Sequence, residues 1–163
     1  MRILRTAFTI FILDGLYPMV INFNRLGWNA PRRVMQSVAA GVLGKASFDG
    51  GIPTALLGTA LHFTIATIWT SIFAFVVLRL PIVQRLTQTT KGTAVVGATY
   101  GGFIWLWMNY VVIALSRATV APASKWPFWS QLVWHMVGVG PVIVFMITAN
   151  VRARAQARVV AVA

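Results

Sequence analysis

Apolar residues run along this chain in four long stretches separated by short polar ones. Residues 6–24 lie between Arg5 and Arg25 and hold one charge, Asp14. Residues 53–78, 92–116 and 126–151 hold no Asp, Glu, Lys or Arg. About 20 uncharged apolar residues suffice for a helix to cross bilayer hydrocarbon, where a helix satisfies its own backbone. The alternation of a membrane β-barrel is absent. The pattern predicts an all-α integral membrane four-helix bundle, a single transmembrane domain over residues 1–163. Met1-Arg2-Ile3-Leu4-Arg5 followed by an apolar run imitates a signal peptide. Asp14 and Pro18 suit its apolar region badly and no clean small-x-small cleavage site follows, so the segment reads as the first span.

The long connection, 25–52, has its own pattern. From Pro31 to Lys45 the residues Val34, Met35, Val38, Ala39, Val42 and Leu43 recur at helical spacing, with Arg33, Gln36, Ser37 and Ala40 on the other side. Pro31 suits a helix start. A short amphipathic helix over 31–45, lying in the membrane interface, is expected. A re-entrant segment packed between spans is the alternative. Gly50-Gly51-Ile52-Pro53 ends it and opens the second span.

Small residues mark where helices approach. Gly97 and Gly101 form Gly-x-x-x-Gly, and Ala98 with Gly102 runs parallel to them. Such residues admit a close neighbour where lipid supplies no hydrophobic drive. Gly138 and Gly140, followed by Pro141, are read as packing positions that bend the fourth span.

Composition sharpens this picture. Hydrophobic residues are 58% and charged residues 10%, far below the roughly 25% of a soluble domain. The chain has no Cys, two acids and two His, so thiolate sites and most hydrolase constellations are excluded, and no enzymatic activity is expected. Walker A, nucleophile-elbow and His-Glu-x-x-His patterns are absent. The net charge of +12 raises nucleic acid as a partner, but the basic residues sit at span ends, as anchors to anionic lipid headgroups do. Arg32, Arg33, Arg152, Arg154 and Arg158 are the expected headgroup contacts, and no nucleic acid is expected. Arg2, Arg5, Arg79, Arg85, Lys91, Arg152, Arg154 and Arg158 fall on one side. Arg25, Arg32, Arg33, Lys45, Arg117 and Lys125 fall on the other. Eight against six puts both termini in the cytoplasm by the positive-inside rule. Trp28, Trp126 and Trp129 fit an aromatic belt. Trp69, Trp105, Trp107 and Trp134 lie deeper, as lipid-facing or packing rings.

Depth singles out four polar residues. Asp14 is ten residues before Asn24, His62 nine after Pro53, Asn109 seven before Ser116 and His135 eight after Pro127. At 1.5 Å per residue all four lie on the order of 10–15 Å from the same end. Ionisable groups inside a membrane are costly and face the bundle interior, so Asp14 needs a proton or a charged His beside it. The layer reads first as a hydrogen-bonded clasp locking the bundle. Its functional alternatives are a proton relay and ligation of haem or chlorophyll by His62 and His135. No cofactor or metal is expected otherwise.

Three stretches carry a resemblance: QSVAAGVLGKASFDGGIPTALLGTALHF (36–63), TYGGFIWLWMNYVVIALSRA (99–118) and HMVGVGP (135–141). They resemble the YagU-like group of small bacterial four-helix inner-membrane proteins of unknown function. The resemblance implies four spans and a bacterial inner-membrane location, and it puts His62, Asn109 and His135 in the group's motif stretches. Minimal extramembrane mass, packing motifs and few reactive groups favour a non-catalytic accessory or structural subunit of a respiratory or photosynthetic complex, with other integral membrane subunits as partners. A small transporter or proton-linked permeation protein, and a haem-binding or pigment-binding protein, are the alternatives.

Overall fold

The computed structural model describes residues 2–119 and 126–149. These are helical nearly throughout and contain no strand. Four helices are long and apolar enough to span a membrane: Arg2–Ile21, Gly51–Arg79, Thr90–Leu115 and Phe128–Ala149. They are the first to fourth spans below.

What faces outward identifies the solvent. In the first span Leu4, Phe8, Ile12, Leu16 and Val20 form an exposed row at four-residue spacing, while the buried residues are Thr6, Ala7, Ile10 and Gly15. In the second span Ile52, Leu56, Ile68 and Phe75 are exposed, while Gly58, Ala66 and Thr70 are buried together with Trp69 and Phe73. The outward residues are larger and more apolar than most of the inward ones. Water would disfavour that surface, and lipid hydrocarbon favours it, because small inward residues let helices approach.

The interior differs between the two ends. Toward one end, Trp69, Phe73, Val83, Val96, Tyr100, Ile104, Ile143 and Val144 pack into one apolar cluster. The Tyr100 hydroxyl donates to the Trp69 carbonyl at 2.7 Å and ties the third span to the second. Tyr100→Phe removes this bond and leaves the carbonyl its helical amide. A modest loss of about 0.6–1.7 kcal/mol in detergent unfolding is expected, the range of intramembrane hydrogen bonds.

The other end is closed by the helix Ala30–Leu43. It forms where an amphipathic helix is expected, but its buried face differs. Gln36 and Ala40 are buried, whereas Val42 and Leu43 are exposed. The reason is what the helix packs on. At Gly58 the second span meets the Met35 carbonyl and the Ala39 amide so closely that a Cβ would overlap Met35 backbone. Small Ala39 and Ala40 suit such proximity, and Gln36 reaches backbone. Its amide donates to the Gly51 carbonyl at 3.0 Å and to Thr54 Oγ1 at 3.2 Å. The helix is therefore packed into the bundle rather than laid flat on its apolar face. Gly44 and Gly51, at φ +65° and +62°, supply the left-handed backbone that turns the chain back into the second span. Gly58→Leu is expected to displace this helix, lowering the unfolding temperature and opening residues 44–50 to proteolysis.

Arg32 donates to Asn29 Oδ1 and Arg33 to the Phe48 carbonyl, each at 3.0 Å on the exposed side. Arg152, Arg154 and Arg158 lie outside the described residues. Trp28 is fully outward and Trp129 half exposed; Trp69 and Trp105 are buried.

Candidate functional site

Between the apolar cluster and the closing helix lies a cavity of about 300 Å³. All four spans and the closing helix line it, and Asp14, His62, Asn109 and His135 are all in its wall. Each arrives by a local device on its own helix.

Asp14 stands one turn before Pro18 in the first span. Pro18 has no N–H, so the Asp14 carbonyl lacks its helical donor. Asn22 secures the far side of the break, its side-chain amide donating to the Pro18 carbonyl at 2.8 Å. Gly15, next to Asp14, leaves the space into which His62 reaches: a Cβ there would touch His62 Nε2 at 3.5 Å. Phe11 flanks the imidazole, ring centres 5.4 Å apart.

His135 opens a π-helical segment, His135–Val139, in the fourth span. Where Gly138, Gly140 and Pro141 lead one to expect a bend, the fourth span has this widened π turn. The His135 carbonyl lies against Gly101, and Gly140 packs against Gly97 and Gly101 with no room for a Cβ on any of the three. Gly97 faces Pro141. Gly102 is looser, facing the Met136 side chain, and Gly138 faces Trp134 of its own helix. The glycine face thus sets how near His135 stands to the third span. Asn109 lies in a second π segment, Met108–Val112. Its amide donates to the Trp105 carbonyl at 2.9 Å. π turns inside α-helices recur at functional positions.

Asp14, His62 and His135 converge. His62 Nε2 is 3.9 Å from Asp14 Oδ2, and His135 Nε2 is 3.8 Å from Asp14 Oδ1. These are ion-pair distances, too long for hydrogen bonds. The side chains are 20% (Asp14), 12% (His62) and 9% (His135) exposed, so the carboxylate is the most accessible member of the triad. Asp14 Oδ1 and His62 Nε2 are buried with no hydrogen-bond partner among the described residues. Asn109 shares the cavity, but its amide is committed to Trp105.

One tautomer follows from geometry. His135 Nδ1 lies 2.8 Å from the Gln131 carbonyl. A carbonyl only accepts, so Nδ1 carries the proton of that bond. His135 Nε2 then meets Asp14 either as a bare lone pair or as the second N–H of an imidazolium.

Reading by depth missed several wall residues: Ser37 of the closing helix, and Trp69, Trp105 and Gln131 of the spans. Trp105 precedes Asn109 by four residues and Gln131 precedes His135 by four. Helical spacing from the polar layer was the available signal for both. Trp105 Nε1 is buried without a partner among the described residues. Among the described residues no three His, Cys, Asp or Glu are arranged to hold a metal ion.

The chain matches no protein-family model, and no curated protein or solved structure matches it.

Proposed function

We propose that this multi-pass membrane protein is a small transporter or proton-linked permeation protein whose solute site is the Asp14–His62–His135 cavity. One observation carries the reading. The only carboxylate in the four spans faces two imidazoles across gaps of 3.8 and 3.9 Å, at the wall of a cavity, without bonding either. A directly bonded clasp would have closed those gaps, since an unpaired buried polar group costs about 1–3 kcal/mol, whereas a clasp bridged by water would keep them. Leaving them open makes sense where something else fills them. A volume of about 300 Å³ is at the small end of ligand pockets, which run from roughly 300 to 1,000 Å³.

The accessory-subunit reading rests on composition, and the cavity adds nothing to it. Against a haem held by both histidines stands the direction of the imidazoles: each Nε2 faces Asp14. The bacterial inner membrane, cytoplasmic termini and the YagU-like resemblance belong to the same proposal, supported by the basic-residue count and the three motif stretches.

Reconstitution tests the reading. Proteoliposomes enclosing a pH-sensitive dye should show proton flux above that of protein-free vesicles, and Asp14→Asn should remove it without unfolding the protein. Flux equal in wild type and Asp14→Asn defeats the proposal. Stoichiometric co-purification with a larger complex in mild detergent, with no flux, would favour the accessory subunit instead.

A further inference from the structure

Resting on the cavity reading above, we infer that the site takes a primary amine in its ammonium form, with a small apolar or aryl tail, and that the amine exchanges for a proton. The polar atoms facing Asp14 across the gap are mostly acceptors, and among the described residues the unpartnered donor in the wall is Trp105 Nε1. The Asp14 carboxylate offers two oxygens, one toward each imidazole. His135 Nε2 is a lone pair whenever the ring is neutral, because the ring's one proton sits on Nδ1 against Gln131. His62 Nε2 has no partner among the described residues and accepts in the tautomer that carries the proton on Nδ1. An ammonium carries three N–H donors and no acceptor, which complements such a set. Spacing agrees. Acceptors 3.8–3.9 Å apart can each lie about 2.8–2.9 Å from one shared nitrogen, an ordinary hydrogen-bond length.

Charge gives the exchange. In a membrane interior Asp14 needs a proton of its own or one positive partner. The groups facing it are few. The second span brings His62 and the fourth His135; the third brings neutral Asn109, and the closing helix neutral Ser37. Tyr17, one turn on, is stacked on Trp134 at 5.1 Å. Without solute, one proton held by Asp14 or by a facing imidazole keeps the site neutral. With an ammonium bound, the same balance requires that proton to leave as the cation enters. Atoms and charge balance: one ammonium in, one proton out, no covalent bond changed. The remaining walls, Ile65, Trp69, Ile104, Trp105 and Met108, are apolar or aromatic. They suit a hydrocarbon or aryl tail and provide ring faces for a cation.

The test uses the full chain in lipid nanodiscs with four probes of one shape: 2-phenylethylammonium, its N-trimethyl derivative, 2-phenylethanol and 3-phenylpropionate. Binding is read by tryptophan fluorescence and by calorimetry in two buffers of different ionisation enthalpy, at pH values where the amine stays charged. The primary ammonium should bind at least tenfold tighter than the alcohol and the carboxylate, and tighter than the trimethyl cation, which has no N–H. Its affinity should rise with pH, by up to about tenfold per unit where a proton competes, with close to one proton released per amine. Asp14→Asn should weaken binding at least tenfold, and Asp14→Glu should retain part of it. These comparisons on wild type hold even if a variant fails to fold. Equal binding of the alcohol, tighter binding of the carboxylate, or affinity falling with pH overturns the amine assignment while leaving the cavity reading. No binding of any probe with Asp14-dependent flux intact does the same. No binding and no flux overturns both.

Discussion

Gly101→Leu is expected to prevent stable folding, whereas Gly102→Ala one residue away should be tolerated. A Cβ on Gly101 would overlap the His135 carbonyl and crowd the Gly140 amide, all backbone that no side-chain rotation can move aside. Overpacking typically costs about 1–3 kcal/mol, and displaced backbone belongs at or beyond the top of that range. Removing a helix glycine returns only about 0.5–1 kcal/mol, so the clash wins. On Gly102 a methyl group would meet Met136 Cγ at 3.5 Å, ordinary contact with a flexible side chain. There the helical gain remains, and stability should hold or rise slightly. Thermal unfolding in detergent compares the two. A Gly101→Leu protein as stable as wild type would mean that the third and fourth spans do not touch there.

Asp14→Leu should abolish flux and at the same time leave the protein as stable as wild type or more so. Most polar substitutions in a core lose stability because they break bonds. Here the carboxylate hydrogen-bonds neither imidazole, and Oδ1 is buried without a partner among the described residues. Removing one partner of a buried ion pair costs stability when it leaves the other charge behind, but a facing imidazole can give up its proton, so the leucine protein keeps no uncompensated charge. Leucine also fits a wall already lined by Ile10, Ile65 and Val139. Function and stability would then move in opposite directions, as at a site kept for activity. The comparison is flux in proteoliposomes against unfolding temperature on the same preparation. A large drop in unfolding temperature would show that Asp14 holds the bundle together after all.

The spans were legible because lipid imposes a length, and 53–78 or 92–116 can hardly be read otherwise. The glycine face was legible because backbone contact in a membrane needs small residues at four-residue spacing, and Gly97 and Gly101 meet Pro141 and His135 as that spacing implies. The closing helix was legible as a helix but not in its orientation. Hydrophobicity put Gln36 outward, yet Gln36 is buried because the start of the second span offers it the Gly51 carbonyl and Thr54 hydroxyl. No periodicity encodes that partner, which lies fifteen to eighteen residues along the chain.

By itself the sequence determined depth. Helical rise is constant, so counting from span ends put Asp14, His62, Asn109 and His135 in one layer before any contact was known. Only the tertiary structure decided direction and distance. The two imidazoles turn toward Asp14 and stop 3.8–3.9 Å short of it, while Asn109 turns to its own backbone. That outcome depends on the missing N–H of Pro18, the widened turn at His135 and the backbone contact at Gly101, acting from different helices. A cavity is the space several helices jointly fail to fill, so no single helix's sequence can specify it.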